Sequence, residues 1–279
     1  MTATTPSTFK STISLTHITT ATILLQIDNV RFLTDPVFGP SGIEHDITHL
    51  IPDAEGPLVT SSLEDPTLHL DQLPPIDCIL LSHEDHCDNL DPVGRQLLDG
   101  RHVVTTMAGA KNLAPRPGVH GIKPWERQIH DIRGVKYDIT GTPCVHLPGG
   151  EVTGFILHTE SFGYAADGRP NAVWVTGDTI YLSELKDMKK KFRIVLAVMN
   201  LGAAMVMYPG HEAPLQITMG GRDAARLVRE IGIERVVPVH YESWHHFTEF
   251  GNELRDVFDR EGILDKVSWV VPGVESRVL

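Results

Sequence analysis

Ser82-His83-Glu84-Asp85-His86-Cys87-Asp88 directly follows the apolar run Cys78-Ile79-Leu80-Leu81. Imidazoles and carboxylates are therefore concentrated where a buried strand should surface into a loop. Imidazole nitrogen and carboxylate oxygen suit a borderline divalent ion such as zinc, and strand ends are where layered α/β folds build sites. A solvated polar loop has the same composition, so the motif does not decide by itself. Three later strand ends repeat the pattern: His146 after Thr142-Pro143-Cys144-Val145, Asp178 after Val175-Thr176-Gly177, and His240 after Val236-Val237-Pro238-Val239. If His83, Asp85, His86, His146, Asp178 and His240 converge, they offer more ligands than one tetrahedral ion uses. Two ions roughly 3.5–4 Å apart, bridged by one carboxylate, would use them all. Adjacent Asp85 and His86 must then be splayed by a tight turn before Asp91.

The elements that would position these residues are mostly strands. Ile13 to His17, Thr20 to Ile27 and Val30 to Thr34 are rich in Ile, Leu, Val and Thr, and Asp28-Asn29 is a hairpin-type pair. Asp35-Pro36 stops the run. Residues 37 to 75 are polar and broken by Pro and Gly, as a binding loop or a surface wrap would be. Asp91-Pro92 reads as a helix start with Val93, Leu97 and Leu98 on its apolar face and Gly100 at its end. Further strands are expected at His102 to Thr106, Ile129 to Ile132, Val135 to Thr140, Phe155 to Thr159 and Val173 to Thr176. The wholly apolar run Ile194 to Met199 reads as a buried strand. Ala224, Leu227, Val228 and Ile231 define a helix over Gly221 to Ile231, which feeds a strand Arg235 to Val239. A last helix at about Glu249 to Arg260 precedes a strand Val267 to Val271. Ligand candidates fall in both halves, which predicts two βα layers packed sheet to sheet with the site at their shared edge. Residues 1–10 read as a disordered arm and 11–279 as a single domain.

The formal charge of -12 over 279 residues lacks the basic footprint of a nucleic-acid binder and disfavours an anionic membrane surface. Three cysteines without framework spacing fit a reducing compartment. With no signal-like apolar core at the N-terminus, the expectation is a cytoplasmic protein. No GxSxG elbow, GxGxxG or GxxxxGK[ST] context occurs, so serine-hydrolase and nucleotide-binding chemistry lack support.

The chain resembles the metallo-β-lactamase superfamily, in the branch of ascorbate-6-phosphate lactonase and N-acylphosphatidylethanolamine phospholipase D. The likeness runs from Thr20-Ala21-Thr22-Ile23-Leu24-Leu25 and Thr34-Asp35-Pro36-Val37-Phe38 to Val237-Pro238-Val239-His240. It implies a four-layer αββα sandwich, two mixed sheets face to face with helices outside. The family motif His-x-His-x-Asp-His falls on Leu81-Ser82-His83-Glu84-Asp85-His86, with Leu81 where the first histidine should be, or, with Ser82-His83 matched to the family's strand end, with a two-residue deletion removing the second histidine. The resemblance implies His83 and His146 on a first metal, Asp85, His86 and His240 on a second, and Asp178 between them. The first site is then one ligand short, completed by His211 or His17 or left empty. One or two zinc ions are expected, with manganese or iron as alternatives. The implied reaction is hydrolysis by metal-bound hydroxide, with Asp85 or Asp178 orienting it and passing on its proton. The expected substrate is a small cyclic ester, amide or carbamate, such as an aromatic lactam of the benzoxazolinone kind. The alternatives are a phosphodiesterase or phospholipase-like hydrolase on the same metals, or a degenerate binding protein without hydrolysis. A homodimer is expected at the level of the family alone.

Trp244 and Phe247, close after His240, are candidates for the wall of an organic-substrate pocket or for core cover. Tyr208 and His211 are further substrate-contact candidates, against the plain reading of an exposed loop. His17 reads as a hydrogen-bonded structural histidine. Cys87 and Cys144 read as small buried residues before thiolate ligands, and Asp88 and Asp91 as supporting or capping carboxylates before metal ligands.

Overall fold

Strands Ile13–Thr19, Thr22–Ile27 and Val30–Thr34 carry branched apolar residues on both faces, so both faces must be covered. In the computed structural model, which describes residues 9–51, 54 and 56–279, they are. Residues 1–8 of the expected N-terminal arm lie outside the described residues, while Phe9 packs on Phe162 with ring centroids 4.9 Å apart.

The first sheet has seven strands in the order Ser276–Arg277, Ile13–Thr19, Thr22–Ile27, Val30–Thr34, Cys78–Leu80, His102–Thr106 and Val119–Ile122. The second has six: Val236–Val239, Arg193–Asn200, Asn171–Val175, Thr153–Thr159, Val135–Pro143 and Arg127–Ile132. Each mixes parallel and antiparallel pairs. Ile23, Leu25 and Ile27 face the second sheet's Phe155, Leu157, Val173 and Val198 in a common core. Leu24 points the other way, with Leu33, Ile79 and Val103, onto an outer layer that includes Leu97, Leu98 and Leu113. Outside the second sheet, helices Gly221–Leu227 and Gly251–Arg260 cover Trp174, Ala197 and Met199. The expected four layers are present, but the layer on the first sheet is thin.

That thinness corrects one expectation. Asp91-Pro92 opens a 3₁₀ turn, Gly94–Leu98, and not an α-helix. Asp91 instead accepts from the backbone N–H groups of Phe38 and Gly94, at 3.0 and 2.6 Å, and pins two loops together. A second correction concerns Val267 to Val271, where one bridge from Val267 to Val236 replaces the expected strand. The helix Met107–Asn112 and strand Val119–Ile122 were not expected. Within residues 37 to 75, His45–Asp46 pairs with Val59–Thr60, and Ser62 bridges to Trp244. Among the described residues, no helix is long and apolar enough to cross a membrane.

Candidate metal centre

Four strand ends deliver ligands to one place. His83 follows Cys78–Leu80 in the first sheet, while His146, Asp178 and His240 follow strands of the second. One turn, in which the Asn89 and Leu90 N–H groups donate to the His86 carbonyl, adds His86 and Asp88. Two ligand groups result, His83/His86/His146 and Asp88/Asp178/His240, each with donor atoms within 4.8 Å of one another.

The hydrogen bonds fix which nitrogens are free. Ser82 Oγ donates to Asp35 Oδ2 at 2.9 Å and therefore accepts from His83 Nδ1–H at 2.8 Å, leaving His83 Nε2 a lone pair. His146 Nδ1–H donates to the Ile217 carbonyl at 2.6 Å, and its Nε2 lies 3.3 Å from His86 Nδ1. Carbonyl and hydroxyl partners on the outer nitrogens are what metal-ligating histidines normally have. Asn200 Nδ2 donates to Asp178 Oδ1 at 2.7 Å, orienting that carboxylate. His240 has φ 58°, a left-handed conformation uncommon outside glycine, and its N–H donates to the Thr20 carbonyl.

Charges follow from burial. Burial, then His86, pushes the His83 pKa well below the ordinary imidazole range. Burial, then His146, lowers His86 to about 4. Burial opposes a charge on His240 too, but Asp178 and Asp88 override it and lift the pKa to about 9. Its two nitrogens lie 3.4 Å from Asp88 Oδ2 and from Asp178 Oδ1. Asp178 stays low despite burial because His240, His146 and His83 surround it.

A divalent ion fits this donor set. His83 Nε2 and Asp178 Oδ2 are buried with no hydrogen-bond partner, and the two His240 nitrogens have only the carboxylates of Asp88 and Asp178 at 3.4 Å. Each such group costs roughly 1–3 kcal/mol unless something satisfies it. The 3.3 Å between His86 and His146 matches the ligand edge of a tetrahedron with roughly 2.0–2.1 Å metal–nitrogen bonds.

The structure redistributes the expected ligands. Asp85 is exposed and belongs to neither group; Asp88, three residues on, takes the place expected for it. His86 joins His83 and His146 instead of His240, so the three-histidine group is complete without Leu81. The acidic group, Asp88, Asp178 and His240, has three ligands as well, and Asn89, the residue after Asp88, donates to Asp35 Oδ2 at 3.3 Å. Neither proposed replacement joins either group. His17 Nε2 is bonded to the Thr20 carbonyl at 2.9 Å, and His211 is exposed beside Tyr208. Glu84 faces away from the centre, accepting from Asn112 Nδ2 at 2.6 Å. Burial raises the Cys87 and Cys144 thiols, which removes thiolate character at neutral pH.

A cavity of about 270 Å³ opens over the centre. Its floor includes His86, Asp88 and His146, and its walls include Ile47, Leu50, Val59, Leu147, Val206 and Trp244. Among the described residues, no Lys or Arg lines it. Phe247 stands behind this wall, its ring 4.9 Å from His240, whereas Tyr208 and His211 are not lining residues. His246, between Trp244 and Phe247, faces the cavity. Burial lowers its pKa, so it is a neutral donor or acceptor.

The family profile described as the beta-lactamase superfamily domain matches residues 30–241. A UPF0173 protein, YddR of Bacillus subtilis, is 23% identical over 264 residues, covering 91% of this chain and 95% of its own. Among solved structures, an isothiocyanate hydrolase from Delia radicum gut bacteria superposes with a TM-score of 0.70 at 22% identity, covering 94% of this chain and 98% of that one. A protein described as a possible metal-dependent hydrolase from Veillonella parvula superposes at 0.72 with 23% identity, covering 95% and 99%.

Proposed function

Because the chain belongs to the beta-lactamase superfamily, we propose that it is a metal-dependent hydrolase of a small, uncharged cyclic ester, amide or carbamate. The observation that carries this reading is the pairing of unpartnered buried donors with a cationless apolar cavity directly above them. A bound divalent ion supplies Lewis acidity there and brings the pKa of water to roughly 7. The chain's own residues do the rest. His83, His86 and His146 present ring nitrogens, those of His83 and His86 kept neutral by burial. Asp88 and Asp178 bring the negative charge, and Asp178, its Oδ1 held by Asn200, orients the attacking water. Ile47, Leu50, Val59 and Trp244 enclose a ring-sized substrate and exclude bulk water. His246 offers a neutral imidazole to the leaving atom from the cavity wall.

The likeness to ascorbate-6-phosphate lactonase supports a lactonase-type reaction. The isothiocyanate hydrolase of the same fold is, by its name, compatible with a small uncharged electrophile. Beyond a bound ion, the described cavity lining offers a phosphodiester no Lys or Arg, which favours a neutral substrate. The test is turnover by stripped and zinc-, manganese- or iron-reconstituted protein on lactones, lactams, isothiocyanates and phosphodiesters. Metal-dependent turnover of a neutral cyclic substrate is expected; turnover of phosphodiesters alone would reject the reading.

A further inference from the structure

Three more histidines meet at the other end of the sandwich. Val104, Ile122 and Ile132 belong to the inter-sheet core. Two residues along each strand, His102, His120 and His130 face the same interior. They come from both sheets, because Val119–Ile122 edges the first and Arg127–Ile132 the second. His102 is in register with Cys78, which opens the strand leading to His83, so the cluster lies away from the candidate centre.

His102 Nε2 is 2.7 Å from His130 Nδ1, with the rings perpendicular. Gln128 Nε2 donates to the Gly121 carbonyl and to Glu126 Oε1, at 2.9 and 3.0 Å. Gln128 Oε1 therefore accepts from His130 Nε2–H at 3.1 Å. This leaves His130 Nδ1 a lone pair and assigns the shared proton to His102 Nε2. His120 stacks on His102, centroids 4.7 Å apart and planes 31° apart, and lies 5.5 Å from His130. Burial and the neighbouring imidazoles keep His102 and His130 below the ordinary range, so protons compete little at neutral pH.

We propose that this cluster is a second metal site, independent of the central one, where a late first-row divalent ion replaces the proton between His102 Nε2 and His130 Nδ1. Imidazole donors select zinc, nickel or copper. Opening the nitrogen pair by about half an ångström gives the ligand edge of a tetrahedral ion. His102 then carries its proton on Nδ1, so the neutral cluster releases none. Gln128 holds His130 as an outer partner should. In the present rotamers the nitrogens of His120 do not converge with the pair; rotation about its side-chain bonds brings one in, and water completes the sphere. The ion would staple the two sheets.

The test uses full-length protein labelled with ¹⁵N histidine, its central site filled with zinc, and titrated with Ni²⁺. Paramagnetic broadening of the His102 and His130 ring signals and a rise in thermal midpoint are expected. The double variant H102Q/H130Q should lose the midpoint rise while retaining its central zinc. Sharp His102 and His130 signals in the wild-type protein at saturating Ni²⁺, or an equal midpoint rise in the variant, would overturn the proposal. If the variant does not fold, the wild-type spectrum decides.

Discussion

His86 Nδ1 and His146 Nε2 face each other across 3.3 Å, with the second nitrogen of His146 committed to the Ile217 carbonyl. A turn after a strand of the first sheet and a strand end of the second thus bring two imidazole nitrogens together, that of His146 oriented by the backbone. Replacing His146 with Ala should lower the affinity of this group for zinc by more than the roughly 10–100-fold typical of outer-sphere changes. Equilibrium dialysis against a competing chelator measures it, and circular dichroism should show an intact fold.

Asp88 and Asp85 give the sharpest contrast. Asp88 is buried with His240 Nε2 3.4 Å away, while Asp85 is exposed. Asp88→Asn should release an ion and reduce turnover at least roughly 10²-fold, whereas Asp85→Asn should change either by less than about threefold. Elemental analysis of the two proteins side by side checks the assignment, and equal metal contents would refute it.

This contrast also shows what the sequence reveals and what it hides. Strands Val30–Thr34 and His102–Thr106 were legible to the residue because branched apolar runs ended at turn chemistry. The convergence of His83, His146, Asp178 and His240 was legible because each follows such a run. Asp85 was misread because a motif fixes residue types and not the turn that aims them. The bonds from Asn89 and Leu90 N–H to the His86 carbonyl turn Asp88 inward and Asp85 out. Val119–Ile122 was missed because Gly121 and His120 interrupt its apolar pattern; it is an edge strand, held by one neighbour. The Asp35–Ser82–His83 chain was invisible, since a separation of 47 residues between Asp35 and Ser82 leaves no local signal.

That chain yields a third prediction. Ser82 Oγ joins His83 Nδ1–H to Asp35, and burial lifts the Asp35 pKa to about 7 against the Ser82 hydrogen bonds that hold it down. Ser82→Ala should cost roughly 10–100-fold in metal affinity with little loss of maximal turnover at saturating metal. A titration of activity against free zinc separates the two. A fall in turnover that saturating metal does not restore would assign Ser82 another role.

Gly154 tests the packing beneath the site. A Cβ there would meet Thr142 Oγ1 and the Thr176 carbonyl, each at 2.3 Å. Neither neighbour can retreat, because both belong to segments that carry His146 and Asp178. Gly154→Ala should destabilise by about 3 kcal/mol or more, a fall in midpoint of roughly 6–12 °C for a chain of this size. Thermal unfolding followed by circular dichroism measures it.

The His102–His130 pair predicts how acid acts on metal-free protein. Burial, then His102 and His120, depress the His130 pKa from 6.5 to about 4. Below pH 6.5 the unfolded chain takes up a proton that the folded chain refuses. The pair's contribution is therefore whole above pH 6.5, falls as the pH drops toward 4, and is gone below that. Solvent near the cluster limits the change to about 1–2 kcal/mol. His130→Gln should flatten this part of the stability curve while lowering stability at neutral pH, because the bond from His102 Nε2–H loses its imidazole acceptor. Urea unfolding of both proteins between pH 4 and 7, with metal removed, measures the difference, and parallel curves would show that His130 titrates as it does in the unfolded chain.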